Sequence, residues 1–264
     1  NHSIGCWDTA QITRLDQMFQ KATAFDGDLG EWNTANVTKT YSMFGYAKNF
    51  NGDLTKWDTT KVKNMHYMFR YTEAFNRNLN KWDTAQVTKM EGMFYQAKFN
   101  GDVSEWDTAK VSTEYGFKQM FFGASAFNGN LSEWDTAQAP ELEQMFRQAD
   151  VFNGDVSKWD TAKVEVMNYV FQETNFNGDL SKWDTANVEE MEYMFEGAEA
   201  FNGDLSKWDT GKVDDMTDMF KKAIVFNGDL SKWNTALVEE MDAMFEQAEA
   251  FNGDVSKWDT AKVE

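Results

Sequence analysis

The eleven tryptophans of this 264-residue chain stand at positions 7, 32, 57, 82, 106, 134, 159, 183, 208, 233 and 258, so that most steps are 25 residues. A fixed period of that length marks one structural unit repeated and stacked on its neighbours. The residues between the tryptophans repeat as well. Counted from each tryptophan, valine usually follows at position 5, methionine at 8, Met-Phe at 11 and 12, alanine at 15 and phenylalanine at 18, as in Val238, Met241, Met244, Phe245, Ala248 and Phe251. Steps of three and four place these residues on one stripe of a helix. The Asp-Thr or Asn-Thr ahead of the stripe supplies an N-cap. Phe-Asn-Gly-Asp then reads as the turn that ends the helix, and Leu-Ser-Lys-Trp as a brief strand. The expected fold is an α/β repeat solenoid of about ten 25-residue coils, each with a short strand and a helix, forming one domain over residues 1–264 around a shared core.

Each repeated residue has a structural role to weigh against a functional one. All fifteen methionines lie at the eighth or eleventh position or its shifted equivalent, which argues for core packing over soft-metal binding. The tryptophans are expected to stack inside rather than to present a sugar-binding ladder. Asparagine follows the repeat phenylalanine from Asn51 to Asn252, the pattern of an internal ladder bonding adjacent turns. The turn aspartates from Asp28 to Asp254 form a column that could hold calcium. A lysine three residues on, as at Lys56 and Lys158, makes a cross-coil Asp–Lys ladder the simpler account. The threonines from Thr9 to Thr260 could form a flat ice-binding face, but their position ahead of the stripe favours capping.

Apolar residues come in ones and twos, far short of the roughly 20 in a row that a bilayer crossing needs. Cys6 is the lone cysteine, so the chain has no internal disulfide framework. Sequons at Asn1, Asn36 and Asn130 would permit glycosylation of a secreted protein. Residues 1–132 carry 14 basic against 14 acidic side chains, and residues 133–264 carry 11 against 30, so the net charge of −19 lies in the second half. Such a field repels nucleic acid and favours a basic protein partner. His2 and His66 stand beside no nucleophile or metal cluster, and no phosphate-binding, dinucleotide or zinc motif occurs. No catalytic residue, cofactor or metal is expected.

The recurring phrase L-S-K-W-D-T-A-x-V-x-x-M-x-x-M-F-x-x-A-x-x-F-N-G-D resembles the BspA-like leucine-rich-repeat family, a bacterial surface repeat of about 26 residues also expanded in protists and marine algae. That resemblance implies a leucine-rich-repeat-like solenoid at the cell surface or outside the cell, used for adhesion or protein binding. It brings no catalytic residues.

Departures from the period mark the candidate contacts. The irregular coil over residues 106–133 holds three extra residues in the stretch STEYGFKQ, which points to an aromatic bulge of Tyr115, Phe117 and Phe122. The acidic outer face adds Glu189, Glu190, Glu239 and Glu240. The ends fall mid-repeat with no capping coil, so the chain is expected to be part of a longer protein, open to end-to-end or lateral assembly. The expected function is a non-enzymatic interaction scaffold. The alternatives are a structural or linker subunit of a large assembly in an alga or protist, and a calcium-binding or ice-binding surface.

Overall fold

A computed structural model describes residues 4–113 and 115–264. Asn1 and His2 lie outside the described residues, as does Glu114 of the bulge. Each coil rests directly on the one before it. From Trp32 to Trp258 every indole N–H donates to a main-chain carbonyl of the preceding coil, as Trp183 does to Val156 at 3.1 Å and Trp208 to Leu180 at 3.1 Å. The indoles stack in a column, Trp183 on Trp208 at 6.5 Å between centroids and 2° between planes. Two phenylalanine columns run beside it. Phe171 lies 5.8 Å from Phe146 and 5.8 Å from Phe195 in the adjoining coils, and 3.9 Å from Phe176 in its own. These rings, with the valines and methionines, form one continuous core.

The expected helices do not form. Among the described residues the one helix is the 3-10 turn Ile4–Cys6. The apolar stripe folds instead as consecutive β-turns whose amides alternate between two kinds of partner. In the coil of Trp183, the N–H groups of Tyr193, Phe195 and Gly197 donate to Thr217, Met219 and Lys221 of the next coil at 2.9, 2.9 and 2.8 Å. Those of Glu196 and Ala198 donate three residues back, to Tyr193 and Phe195, at 3.1 and 3.0 Å. The turns are closed by left-handed residues at positions 10 and 14 of each coil, seventeen of them not glycine, including Tyr193 (φ 53°), Gln144 (φ 57°) and Ala243 (φ 49°).

The aromatic columns explain why a helical pattern does not give helices. Packed helices need about 8–10 Å between axes, whereas ring centroids on this stripe repeat at 5.8 Å along the stack. Turns can follow that spacing, with every second amide bonding to the next coil at the distance of neighbouring strands.

The strand also lies elsewhere than expected. Leu-Ser-Lys-Trp is a turn, closed by Trp183 N–H on Leu180 O at 3.1 Å and by the Asp179 carboxylate accepting from Ser181 N–H at 2.9 Å. Parallel bridging occurs at position 7, through Arg14, Lys39, Asn64 and Lys89, and again through Glu141, Val166, Glu190, Asp215 and Glu240. The Asp-Thr pair caps a turn, with Asp184 accepting from Ala186 N–H at 3.1 Å. The threonine hydroxyl reaches across the stack, Thr185 donating to Asp209 O at 2.9 Å.

Two substitutions test this account. Ala243→Gly should stabilise the chain by about 0.5–1 kcal/mol, because glycine adopts φ > 0 without penalty. In a helix the same change would cost about 1 kcal/mol, so the sign of the shift in chemical denaturation separates turn from helix. Phe171→Ala should cost about 3–5 kcal/mol in the same measurement.

Candidate interaction face

With positions 8, 11, 12 and 15 turned into the core, positions 7, 9, 10, 13 and 14 line one face of the coil, most of them exposed or half-buried, with Ser42, His66, Asn168, Gln172 and Asp218 among those buried. The contacts between these positions show that they share a surface. All eight tyrosines of the chain lie on it, Tyr115 in the bulge and the other seven at positions 9, 10, 13 or 14. Tyr46 stacks on Tyr71 at 4.6 Å, Tyr95 on Phe122 at 4.5 Å, and Tyr169 on Tyr193 at 4.7 Å.

Two arginines bind this aromatic strip together. The Arg70 guanidinium lies 5.6, 5.1, 5.2 and 4.7 Å from the ring centroids of Tyr46, Tyr67, Tyr71 and Tyr95. Arg147 sits 5.3 Å from Phe122 and 4.7 Å from Tyr169. Each contact of this kind contributes about 0.5–2 kcal/mol, more as it is shielded from water. Both arginines keep a buried Nε–H with no hydrogen-bond partner.

At the centre of the face, Tyr67 donates a short hydrogen bond to Glu91, and burial with that neighbouring carboxylate raises the phenol's pKa. His66 Nδ1 lies 3.6 Å from Glu91. Burial and the nearby Lys89 nevertheless push the imidazole down to about 4, so it is neutral at physiological pH.

The bulge is smaller than expected. Phe117 occupies the place of the repeat methionine, fully buried and 5.7 Å from Trp134, because the chain resumes register at Gly116, whose carbonyl accepts from Met90 N–H. Phe122 is 9 % exposed, held between Tyr95 and Arg147. Neither is a free contact residue. Tyr115 is the exposed member, at 41 %, edge-on to His66 and beneath Lys89. Glu189, Glu239 and Glu240 are exposed, and Glu190 is half-buried, accepting from Asn168 at 2.6 Å.

The other repeated residues are occupied elsewhere. The asparagine ladder forms on the surface rather than inside, for example with Asn202 N–H donating to Asn177 Oδ1 at 2.9 Å. In the aspartate column, Asp204 accepts from Ser206 N–H at 2.9 Å, and the serine hydroxyl and amide hold its pKa below the usual carboxylate range. The adjacent lysines pair with glutamate where an earlier coil offers one, Lys56 with Glu31 at 2.5 Å and Lys158 with Glu133 at 2.7 Å. No Asp–Lys ion pair of the expected kind occurs in this column among the described residues. Among those residues no group of three or more acidic, histidine or cysteine side chains converges as a metal site. The threonines, 1–3 % exposed from Thr9 to Thr235, present no flat face to ice.

Four overlapping segments, residues 1–98, 73–179, 97–202 and 167–264, match the profile of a family described as Mycoplasma protein of unknown function, DUF285. The chain belongs to the DUF285 family. No curated protein and no solved structure matches it. Each matched segment of DUF285 sequence takes in about four coils, so the family unit is itself a short stack. Within the described residues no helix is long and apolar enough to cross a membrane.

Charge divides the face along its length. The division is clean at position 7, with Arg14, Lys39 and Lys89 in the first four coils and Glu141, Glu190, Asp215 and Glu240 in later ones, while the neighbouring positions add Asp16 and Glu91 early and Arg147, Lys221 and Lys222 late. Burial, a hydrogen bond to Asp215, and the charges of Asp215, Glu190 and Glu240 push Glu192 up to about 7 from an ordinary 4.5. The folded chain therefore holds a proton there that the unfolded chain has lost. The resulting stability is complete below pH 4.5 and is lost as pH rises through about 7. Thermal unfolding should show a fall in Tm between about pH 5 and pH 8 that Glu192→Gln makes shallower. An unchanged slope would remove Glu192 as its source.

Proposed function

We infer that the chain is a non-enzymatic protein-interaction scaffold, and that the tyrosine–arginine face is its docking surface. One observation carries this reading: every tyrosine lies on a single face, interleaved with the half-buried guanidinium groups of Arg70 and Arg147. Tyrosine and arginine dominate the binding energy of protein interfaces, since each joins a large apolar area to a polar end and loses little entropy on docking. The acidic later coils favour a partner with basic groups. The resemblance to BspA-like surface repeats supports a place at the cell surface or outside the cell, and with it a leucine-rich-repeat kinship in which turns stand where helices are usual.

A second reading, a structural subunit of a larger assembly, draws support from the reversal of charge along the same face. A surface basic at one end and acidic at the other suits repeated contacts between like molecules.

The repeat itself offers a mild variant. Glutamine stands at position 14 in other coils, as Gln96, Gln148 and Gln247, so Tyr46→Gln with Tyr71→Gln should leave the fold intact. Proteins retained from the native source by the immobilised wild type should be lost about tenfold or more with this double variant. They should be kept by Lys207→Gln with Lys232→Gln, on the tryptophan side of the coil. The opposite pattern would move the docking surface to that side, and retention insensitive to both pairs would remove the tyrosine face from the function.

A further inference from the structure

The columns at position 7 are arranged against their own stability. Arg14 bridges Lys39, Glu190 bridges Asp215, and Asp215 bridges Glu240, so like charges stand side by side on adjacent strands. Such pairs destabilise a sheet. At position 7 the two signs are also separated along the stack, with Arg14, Lys39 and Lys89 in the early coils and Glu141, Glu190, Asp215 and Glu240 in the late ones, and between them Lys118 pairs with Glu143 at position 9.

We propose that this face docks onto the same face of a second copy of the chain, antiparallel, about a two-fold axis that lies in the face and crosses the stack between the coils of Trp106 and Trp134. The proposal rests on the reading of this face as the docking surface and names its partner. The axis is placed by the change of sign, and a two-fold of this kind lays each column over itself with the coil order reversed. Arg70 at position 13 then meets Glu196 at position 13 of the second copy, Lys39 meets Asp215, and Arg14 meets Glu240. Each pair occurs twice in the dimer.

The register also matches apolar to apolar, bringing Tyr67 over Tyr193, both at position 10. Its like-charged meeting is Asp16 with Asp242, and Arg14 lies 2.7 Å from Asp16 to offset it. The docking sets the Glu196 carboxylate against the half-buried Arg70 guanidinium and lays cations over Asp215 and Glu240, the carboxylates beside Glu192. At about 4.8 Å per coil, ten coils make a face about 45 Å long. A strip about 18 Å wide over that length supplies the ~800 Å² per partner of a standard interface.

Sedimentation equilibrium of the 264-residue chain should show a dimer. Arg70→Glu alone and Glu196→Arg alone should each weaken it about tenfold or more, since each places two repelling pairs in the homodimer. Mixed together, the two variants should recover wild-type affinity as a heterodimer, in which both pairs are again opposite in sign. Arg70 lies within the tyrosine cluster, so the same cycle is run with Arg14→Glu and Glu240→Arg, both at exposed positions. Should Arg70→Glu fail to fold, that second pair decides.

A chain that stays monomeric to millimolar concentration overturns the proposal, as does a dimer indifferent to these reversals or one that mixing does not rescue. If the chain is monomeric and the Tyr46/Tyr71 variant still loses other proteins, the docking surface stands and its partner is another chain. If the chain dimerises by this register while that variant loses nothing else, the face serves self-association alone.

Discussion

Hydrogen bonds between successive coils set nearly everything else in this chain. They fix the distance between neighbours at the spacing of β-strands, and that spacing determines what each coil can contain. Rings at positions 12 and 18 can stack from coil to coil, as Phe171 does with Phe146 and Phe195. Helices cannot be laid side by side so closely. The apolar stripe therefore gives half its amides to the next coil and half to its own turns, and accepts left-handed residues at two positions per coil to do so. Each costs about 1 kcal/mol for a residue other than glycine. The cross-coil hydrogen bonds and the ring columns offset that cost.

Much of this was legible in sequence. The period, the buried tryptophans and methionines and the asparagine ladder follow from which residue types recur, and recurrence is independent of local conformation. The apolar spacing does not separate helix from turns, because residues at positions 8, 11, 12 and 15 are spaced alike in a helix and in a chain of turns that returns its side chains inward every three or four residues. Composition at positions 10 and 14 held a hint. Glycine stands there at Gly92, Gly123 and Gly197, but the glutamines, lysines, Glu173 and Ala243 at the same positions favour helices and mask it.

The candidate face was half legible. The charge separation could be counted, and Glu190 and Glu240 lie at position 7 of the face, with the exposed Glu189 and Glu239 beside them at position 6. Phe117 departs from the expected bulge because the chain returns to register at Gly116, and Phe117 fills the buried site that methionine or leucine takes at position 8 of the other coils, Thr40 excepted. The tyrosines went unused as a set. Their confinement to outward positions is a sequence signal, but it separates from the buried phenylalanines only after each position is sorted by the direction it faces.

The composition of the face differs from what folding alone requires. Core positions repeat almost without change from coil to coil, while positions 7, 9, 10, 13 and 14 vary, and position 7 passes from cationic to anionic along the stack. A stack selected only for stability would alternate charge along a column, since opposite neighbours on adjacent strands attract and like neighbours repel. Here Arg14 adjoins Lys39, and Asp215 adjoins both Glu190 and Glu240. Burial, the hydrogen bond to Asp215 and the neighbouring carboxylates together raise the pKa of Glu192 to about 7. A column that repels itself within one molecule becomes favourable when a column of the opposite sign is laid over it, so the arrangement is economical for the docked state and wasteful for the isolated chain.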